Sequence, residues 1–362
     1  MPSVVVAVPA KDEAEELPGC LTALARQEAC LPDAVVLCLN NCVDGSASSV
    51  RRLFLPFPVH LVEITLPRAL SSAGAARRIA METAADIAGS DGILLTTDAD
   101  GRTNRDWLVR NLEALARGAD AVARRAEIDP EGAKLIPAQL HAIDARECAY
   151  VALLDEIHAL LDPDPADPWP RHDERSGASI AVTVEAYRRA GGMPDLSLAE
   201  DRAFIDRLCL IDGRIRHEPG IRVVVSARTH GRADGGMADT MRRRIAQPDE
   251  FLDERLEPVS NALRRIRFRA RLRTIWTASR PPTCDIARFA TRVSLSPKDV
   301  ATFLAAPYFG ACWAALEAYS PVLQRTRVAL NDLSQETARA TKIRDVIKRE
   351  AGPDDMPLIA AA

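Results

Sequence analysis

Gly92-Ile93-Leu94-Leu95-Thr96-Thr97-Asp98-Ala99-Asp100 is an apolar run that stops on two carboxylates one residue apart. A short apolar run with no polar alternation reads as a strand buried on both faces, the kind that builds parallel sheets. A strand ending in Asp-x-Asp aims two hard oxygen ligands into the space beyond the sheet, where a divalent cation can bridge them to the phosphates of a nucleotide.

Working outward, the first 125 residues alternate short β-branched runs with helical patterns, which predicts an α/β fold with helices on both faces of the sheet. The expected strands are Val4 to Val8, Ala34 to Leu39, Val59 to Thr65, Gly92 to Thr97 and Asp120 to Ala123. Asp12 and Glu15 form a capping box that starts the first helix, with Leu17, Leu21 and Leu24 at helical spacing. Ser71 or Ser72 opens a second helix, and Asn104 caps the one carrying Trp107, Leu108 and Leu112. A helical pattern from about Lys134 to Leu161 ends at Asp162-Pro163-Asp164-Pro165-Ala166-Asp167-Pro168-Trp169-Pro170, where repeated prolines forbid helix and central strand alike. Strand patterns return at Ala178 to Val184 and Ile221 to Ser226. From Gly231 onward the chain is almost wholly helical and richer in arginine, with a break at Arg280-Pro281-Pro282-Thr283. The expected division is therefore 1–230 and 231–362.

The bulk numbers exclude several classes. With 47 Lys+Arg against 51 Asp+Glu in 362 residues, no overall basic field draws the protein to nucleic acid. Eight cysteines form no CxxC pair and no zinc-spaced cluster, which fits a reducing cytoplasm. The longest uncharged stretch, between Asp299 and Glu317, is shorter than the ~20 residues a spanning helix needs. It reads as a buried helical segment, with contact at the inner membrane face as the alternative.

In an open parallel sheet, ligands bind beyond the carboxyl ends of the strands, so motifs at successive strand ends should converge. Pro9-Ala10-Lys11-Asp12 follows the first strand, Asn40-Asn41-Cys42-Val43-Asp44-Gly45 the second, Arg68 to Gly74 the third and Asp98-Ala99-Asp100 the fourth. Together with Ala73-Gly74-Ala75-Ala76-Arg77, Gly191-Gly192 and Ala199-Glu200-Asp201, this ordered set resembles the family 2 glycosyltransferases of the GT-A fold over about residues 3 to 230.

That resemblance implies a GT-A type α/β domain with a mostly parallel sheet, followed by a C-terminal helical region for acceptor, oligomer or membrane-surface contact. It implies transfer of a sugar from a nucleoside-diphosphate donor, UDP being the first candidate, to a hydroxyl acceptor. Pro9, Ala10, Asp12 and Asn40 or Asn41 would hold the base and ribose, with Asp98 nearby. Gly74, Arg77 and Arg228 would complete the donor site, and Asp98 and Asp100 would bind Mg²⁺ or Mn²⁺. Asp201, beside Glu200, would be the base that takes the acceptor's proton, and the single displacement would invert the anomeric carbon.

Several residues keep two readings. Glu200 and Asp201 can equally be ordinary helix-start acids, and Asp98 a helix cap. His230 is a metal ligand or a packing residue. Arg228 neutralises the diphosphate or pairs on the surface, and either Arg77 or Arg78 faces the site. The run Arg264-Arg265-Ile266-Arg267-Phe268-Arg269-Ala270-Arg271-Leu272-Arg273 is a solvated helix paired with Asp249, Glu250, Asp253, Glu254 and Glu257, or a surface for an anionic acceptor or phospholipid. The acceptor itself is expected to meet variable loops such as 162–175. Three rivals stand against transfer. A nucleotidyltransferase acting on sugar phosphates needs a Gly-rich loop that Pro9-Ala10-Lys11-Asp12 does not supply. A dinucleotide-binding dehydrogenase needs G-x-G-x-x-G after the first strand. A non-catalytic carbohydrate-binding or scaffold protein has few stacking platforms in a chain only 4% aromatic.

Overall fold

β1 (Val4–Ala10) and β2 (Ala34–Asn40) are buried along their whole length, as strands covered on two faces must be. The computed structural model describes residues 2–350 except 230, 233, 234, 248 and 254. In chain order the sheet elements continue as β3 (Val59–Ile64), β4 (Ile93–Thr96), β5 (Arg102–Thr103), β6 (Ala121–Ala123), β7 (Ala126–Ile128), β8 (Ile180–Thr183), β9 (Ile215–His217) and β10 (Val223–Val225). The main sheet runs β3-β2-β1-β4-β8-β6-β9, and β5-β10-β7 form a second, small sheet. All main-sheet pairs are parallel except those of β8, which is antiparallel to both β4 and β6.

Alternation sorts the β1 side chains. Val4, Val6 and Val8 join the core beneath α1 (Leu17–Ala25) and α4 (Trp107–Ala116), with Leu17, Leu21, Leu24, Trp107 and Leu108. α3 (Ala73–Ala88) packs on β1, β2 and β4 through small buried residues, among them Ala76, Ala80 and Ala84, which let the helix axis come close. Ser72 caps it, its side chain accepting from the Ala75 amide as expected.

Two details of topology position the site. After β1, β2 and β3 lie on one side and β4 on the other, so the loops leaving β1 and β4 part and open a crevice at the switch point. Because β8 runs antiparallel, its first residue Ile180 pairs with Thr96 and Ala123, which brings the preceding Gly177-Ala178-Ser179 to the same carboxyl edge. Ser179 is anchored there by the buried Trp107 indole, whose Nε1 donates to its hydroxyl at 2.8 Å.

The structure corrects two helix starts. Asp12 does not cap a helix: the chain turns there with φ 52°, and α1 begins at Leu17. α4 begins after Asp106, and Asn104 contributes its carbonyl, which accepts from the Trp107 amide, and no side-chain cap. The short strands β5, β7 and β9 carry too few residues to leave a sequence pattern.

Two compact units emerge, drawn differently from a cut after residue 230. The first holds 1–137, 173–208 and 213–247, and the second 138–172, 209–212 and 248–362. In the second, α5 (Ala138–Leu161), α6 (Val259–Thr277) and α7 (Leu333–Glu350) enclose Tyr150, Ile157, Leu333 and Ala340. Long apolar side chains on α5 pack against that bundle, which is why the helix leaves the sheet unit. The arginine run lies on α6 with one face committed: Arg265 pairs with Glu257 and Glu317, and Arg269 and Arg273 both pair with Asp162. Glu257 is one of the acids expected for this role, Glu254 lies outside the described residues, and Asp162 and Glu317 come from distant segments. No described helix is long and apolar enough to cross a membrane, and none of the eight cysteines is in a disulfide.

Ser179→Ala would leave the buried Trp107 N–H without its acceptor. Urea unfolding should show a loss of about 1–3 kcal/mol with an unchanged m-value.

Candidate functional site

Left-handed backbone at non-glycine residues marks where the loops meet. Asp12 (φ 52°) and Asn41 (φ 53°) sit just beyond β1 and β2, and short polar side chains that bond locally tolerate this conformation best. Asp12 Oδ1 accepts from the Val43 amide at 2.7 Å and the Asp44 amide at 3.2 Å, while its own amide donates to Cys42 Sγ at 3.3 Å. Asp44 and Ser46 return the favour, accepting from the amides of Ala14 and Glu13. Pro9 and Ala10 close β1 beside this lacework. Asn41 binds Leu66 through both ends of its amide, at 2.8 and 2.9 Å, and Asn40 donates to the Ser72 carbonyl at 3.0 Å. The side chains of Asp12, Asn40 and Asn41 thus fasten loop to loop, leaving the loop backbones as the surface a base or ribose would meet. Ligand atoms of Asp12, Cys42 and Asp44 also lie within 4.8 Å of one another.

At the end of β4, Asp98 meets Arg77 from α3. The buried guanidinium donates from Nη2 to Asp98 Oδ1 at 2.6 Å, from Nε to Glu200 Oε1 at 2.8 Å, and from Nη1 to Thr96 Oγ1 at 2.9 Å and the Gly177 carbonyl at 3.1 Å. Burial alone would weaken its hold on the proton. The carboxylates of Asp98, Glu200 and Asp201 outweigh that, so Arg77 stays charged and its pKa is raised. Glu200 and Asp201 begin α8 (Glu200–Leu210). Gly177 donates its amide to Asp201 Oδ2 at 2.5 Å, and the Arg202 amide donates to Oδ1 at 2.8 Å. Gly74, in the first turn of α3, is forced by close approach: a Cβ there would lie 1.9 Å from the Leu196 carbonyl oxygen.

Asp100 occupies a second charge cluster. Arg228 grips Glu13 with both Nη atoms, one at 2.7 Å and the other closer, and stands 3.6 Å from Asp100 Oδ2. Asp100 is pushed from its ordinary 3.8 to about 6, first by burial and then by Asp98, with Arg228 opposing and Glu13 and Glu16 adding to the rise. Arg228 therefore serves Glu13 before any ligand. His230 lies outside the described residues. Arg77 is the site-facing member of its pair, while Arg78 is more exposed and lies near Asp195.

Sequence reasoning brought Asp98, Asp100, Arg77, Glu200 and Asp201 to one edge. It missed Thr96 and Gly177 as partners of Arg77 and Glu13 as the partner of Arg228. Glu13 stood one residue past the quoted Pro9-Ala10-Lys11-Asp12, whereas Gly177 had no local signal, since its place follows from the direction of β8.

An open, mostly parallel sheet of this topology binds its ligands in the crevice at the switch point, and that is where the Asp98–Asp100 loop lies. The sequence model of the family described as "Glycosyl transferase family 2" matches residues 5–158, the segment that carries β1 to β7 and the Asp98–Asp100 loop. No curated protein matches the chain. Among solved structures it is similar to residues 1–349 of TarS from S. aureus in complex with UDP, at 14% identity over 99% of this chain and 94% of that one, TM-score 0.44. It is similar to the mannosyltransferase PcManGT from Pyrobaculum calidifontis in complex with GDP-Man and Mn²⁺, at 18% identity over 96% and 87%, TM-score 0.43. A third likeness is to M. tuberculosis glucosyl-3-phosphoglycerate synthase, at 14% identity over 67% and 78%, TM-score 0.38.

The raised Asp100 carboxyl fixes a sign. Between pH 4 and 6 the folded chain holds a proton that the unfolded chain has lost, so this group's contribution to stability falls as pH rises through that window and levels off above about pH 6. At pH 7 the ionised group costs about 3 kcal/mol. Asp100→Asn should stabilise the metal-free protein at pH 7 by an amount of that order, and the gain should fade by pH 4, as read from urea unfolding at both values.

Proposed function

We propose that the protein is a glycosyltransferase that moves a sugar, with inversion, from a nucleoside-diphosphate donor to a hydroxyl acceptor, using Asp201 as the base. One observation carries the reading: Asp98 and Glu200, about a hundred residues apart in the chain, meet on the same buried guanidinium, and Asp201 follows Glu200 with its carboxylate on the Gly177 amide.

The donor set fits a hard divalent cation. Two carboxylates stand one residue apart, Asp98 keeps Oδ2 beyond its bond to Arg77, and burial first and Asp98 next keep Asp100 from ionising at its usual pH. Asp98 and Asp100 would hold Mg²⁺ or Mn²⁺. When bound, such an ion neutralises the charge that grows on the departing diphosphate.

The protein's own residues divide the remaining work. Glu200 is spent on Arg77, so it positions, and Asp201 is the member of the pair left to take a proton. Its two oxygens are fixed by the Gly177 and Arg202 amides, each retaining a lone pair for an acceptor hydroxyl. A carboxylate is a weak base toward an alcohol, so proton transfer accompanies carbon–oxygen bond formation and produces no free alkoxide. With Asp201 acting as base and not as nucleophile, the acceptor oxygen bonds to the anomeric carbon as the bond to the diphosphate breaks, a single displacement that inverts that carbon. The loop backbones after β1 and β2 supply the surface for base and ribose, with UDP as the first donor to try.

The nucleotidyltransferase alternative is disfavoured by the loop after β1. It has no glycine, and Asp12 already accepts from the amides of Val43 and Asp44 that an anion would need.

A thermal-shift screen of UDP-, GDP- and dTDP-sugars with and without Mn²⁺ should raise the melting temperature for one donor class, since a ligand at a hundred times its Kd stabilises by about 2.7 kcal/mol. Asp100→Ala should lose the Mn²⁺-dependent part of that shift. Asp201→Asn should keep it while transfer falls about 10²- to 10⁴-fold. Full transfer by Asp201→Asn would remove it as base.

A further inference from the structure

We infer that Arg77 is a positioning residue whose planar guanidinium sets the separation between the donor-side carboxylate Asp98 and the acceptor-side pair Glu200–Asp201. The inference rests on the transfer reading above and deepens it.

Geometry carries it. Three nitrogens of one rigid plane reach two carboxylates, a hydroxyl and a carbonyl, which belong to the end of β4, the start of α8 and the loop before β8. A fork of fixed geometry transmits position in a way a single ammonium cannot. Only 6% of the side chain is exposed, so the group is placed to brace the site from behind and not to meet the donor's phosphates. The brace extends to the base. Gly177 accepts from Arg77 through its carbonyl and donates its amide to Asp201, so one peptide-linked residue ties the guanidinium to the proton acceptor. Only glycine leaves the guanidinium where it is: a Cβ at 177 would lie 2.8 Å from Arg77 Cζ and Nη2 and 3.1 Å from Asp201 Oδ2 and would displace them. Glu200 thereby becomes the anchor that joins α8 to the strut.

Three perturbations reach the strut by different routes. Arg77→Lys keeps the charge and loses the fork, Glu200→Gln removes the acceptor-side charge, and Gly177→Ala pushes on the guanidinium while leaving every charge in place. Each should lower the transfer kcat about 10- to 100-fold, the scale of a misplaced reacting group. Donor KM should stay within about threefold for Glu200→Gln and Gly177→Ala, and donor hydrolysis should rise relative to transfer. The Arg77→Lys/Glu200→Gln double variant should be no slower than the worse single variant. Effects that multiply in the double variant would overturn the strut. So would variants that raise donor KM at unchanged kcat, which would make Arg77 a direct donor ligand. If Arg77→Lys fails to fold, Glu200→Gln and Gly177→Ala carry the same comparison. Solvent exchange of the Arg77 Nε–H, followed by NMR, supplies a readout that needs no turnover: it should be slow in the parent protein and faster in both of those variants. Slow exchange in all three rejects the strut, whereas a parent protein that turns over no nucleotide sugar rejects the transfer reading alone.

Discussion

A buried arginine between two acidic motifs is the constraint on which the first unit depends. Removing a guanidinium from water costs several kcal/mol, and such a charge is kept inside only where partners use its donors. Here Asp98 and Glu200 supply the opposite charge, and Thr96 and Gly177 occupy the remaining nitrogen. Those partners come from a strand end, a helix start and a loop, so the ion pairs exist only when the sheet is assembled. The same dependence runs backward. Without Arg77, two carboxylates and the nearby Asp201 would face one another with little to screen them.

Charge is shared unevenly between the two aspartates of the β4 loop. Asp98 receives a short charge-assisted bond from Arg77, whereas Asp100 has only the 3.6 Å approach of an Arg228 already engaged by Glu13. The protein satisfies one carboxylate and leaves its neighbour wanting a cation. That asymmetry costs stability in the metal-free chain and is what a site meant to receive a positive charge would show. Arg228 limits the cost by lowering the Asp100 pKa against burial and three acidic neighbours.

Much of this was legible because the strands are buried on two faces. Val4 to Val8 and Ala34 to Leu39 announce themselves as unbroken apolar runs, and Asp-x-Asp at the end of such a run places both residues at the carboxyl edge of the sheet. What was not legible depends on contacts distant in sequence. Asp12 carries the composition of a helix cap, yet its carboxylate goes to the amides of the next loop, since those donors lie closer than the helix start. Gly177 acquires a role only because β8 runs antiparallel, and no local pattern encodes strand direction. On the arginine-rich helix the charges were visible and their partners were not: Asp162 and Glu317 reach Arg269, Arg273 and Arg265 from more than fifty residues away.

Ala199 shows how tightly the acidic pair is held. It adopts φ 57° with no polar side chain to bond its own backbone, a conformation that costs an L-residue about 1–2 kcal/mol. Such strain persists where the surroundings over-determine the chain. Leu196 is pressed against Gly74, Glu200 is tied to Arg77, and Asp201 is tied to Gly177, so the residues on both sides of Ala199 are already placed. The backbone between them must turn through the left-handed region to connect Leu196 with Glu200. The strain is therefore a consequence of fixing the acidic pair against the β4 loop, and it is borne one residue before the carboxylates that the arrangement serves.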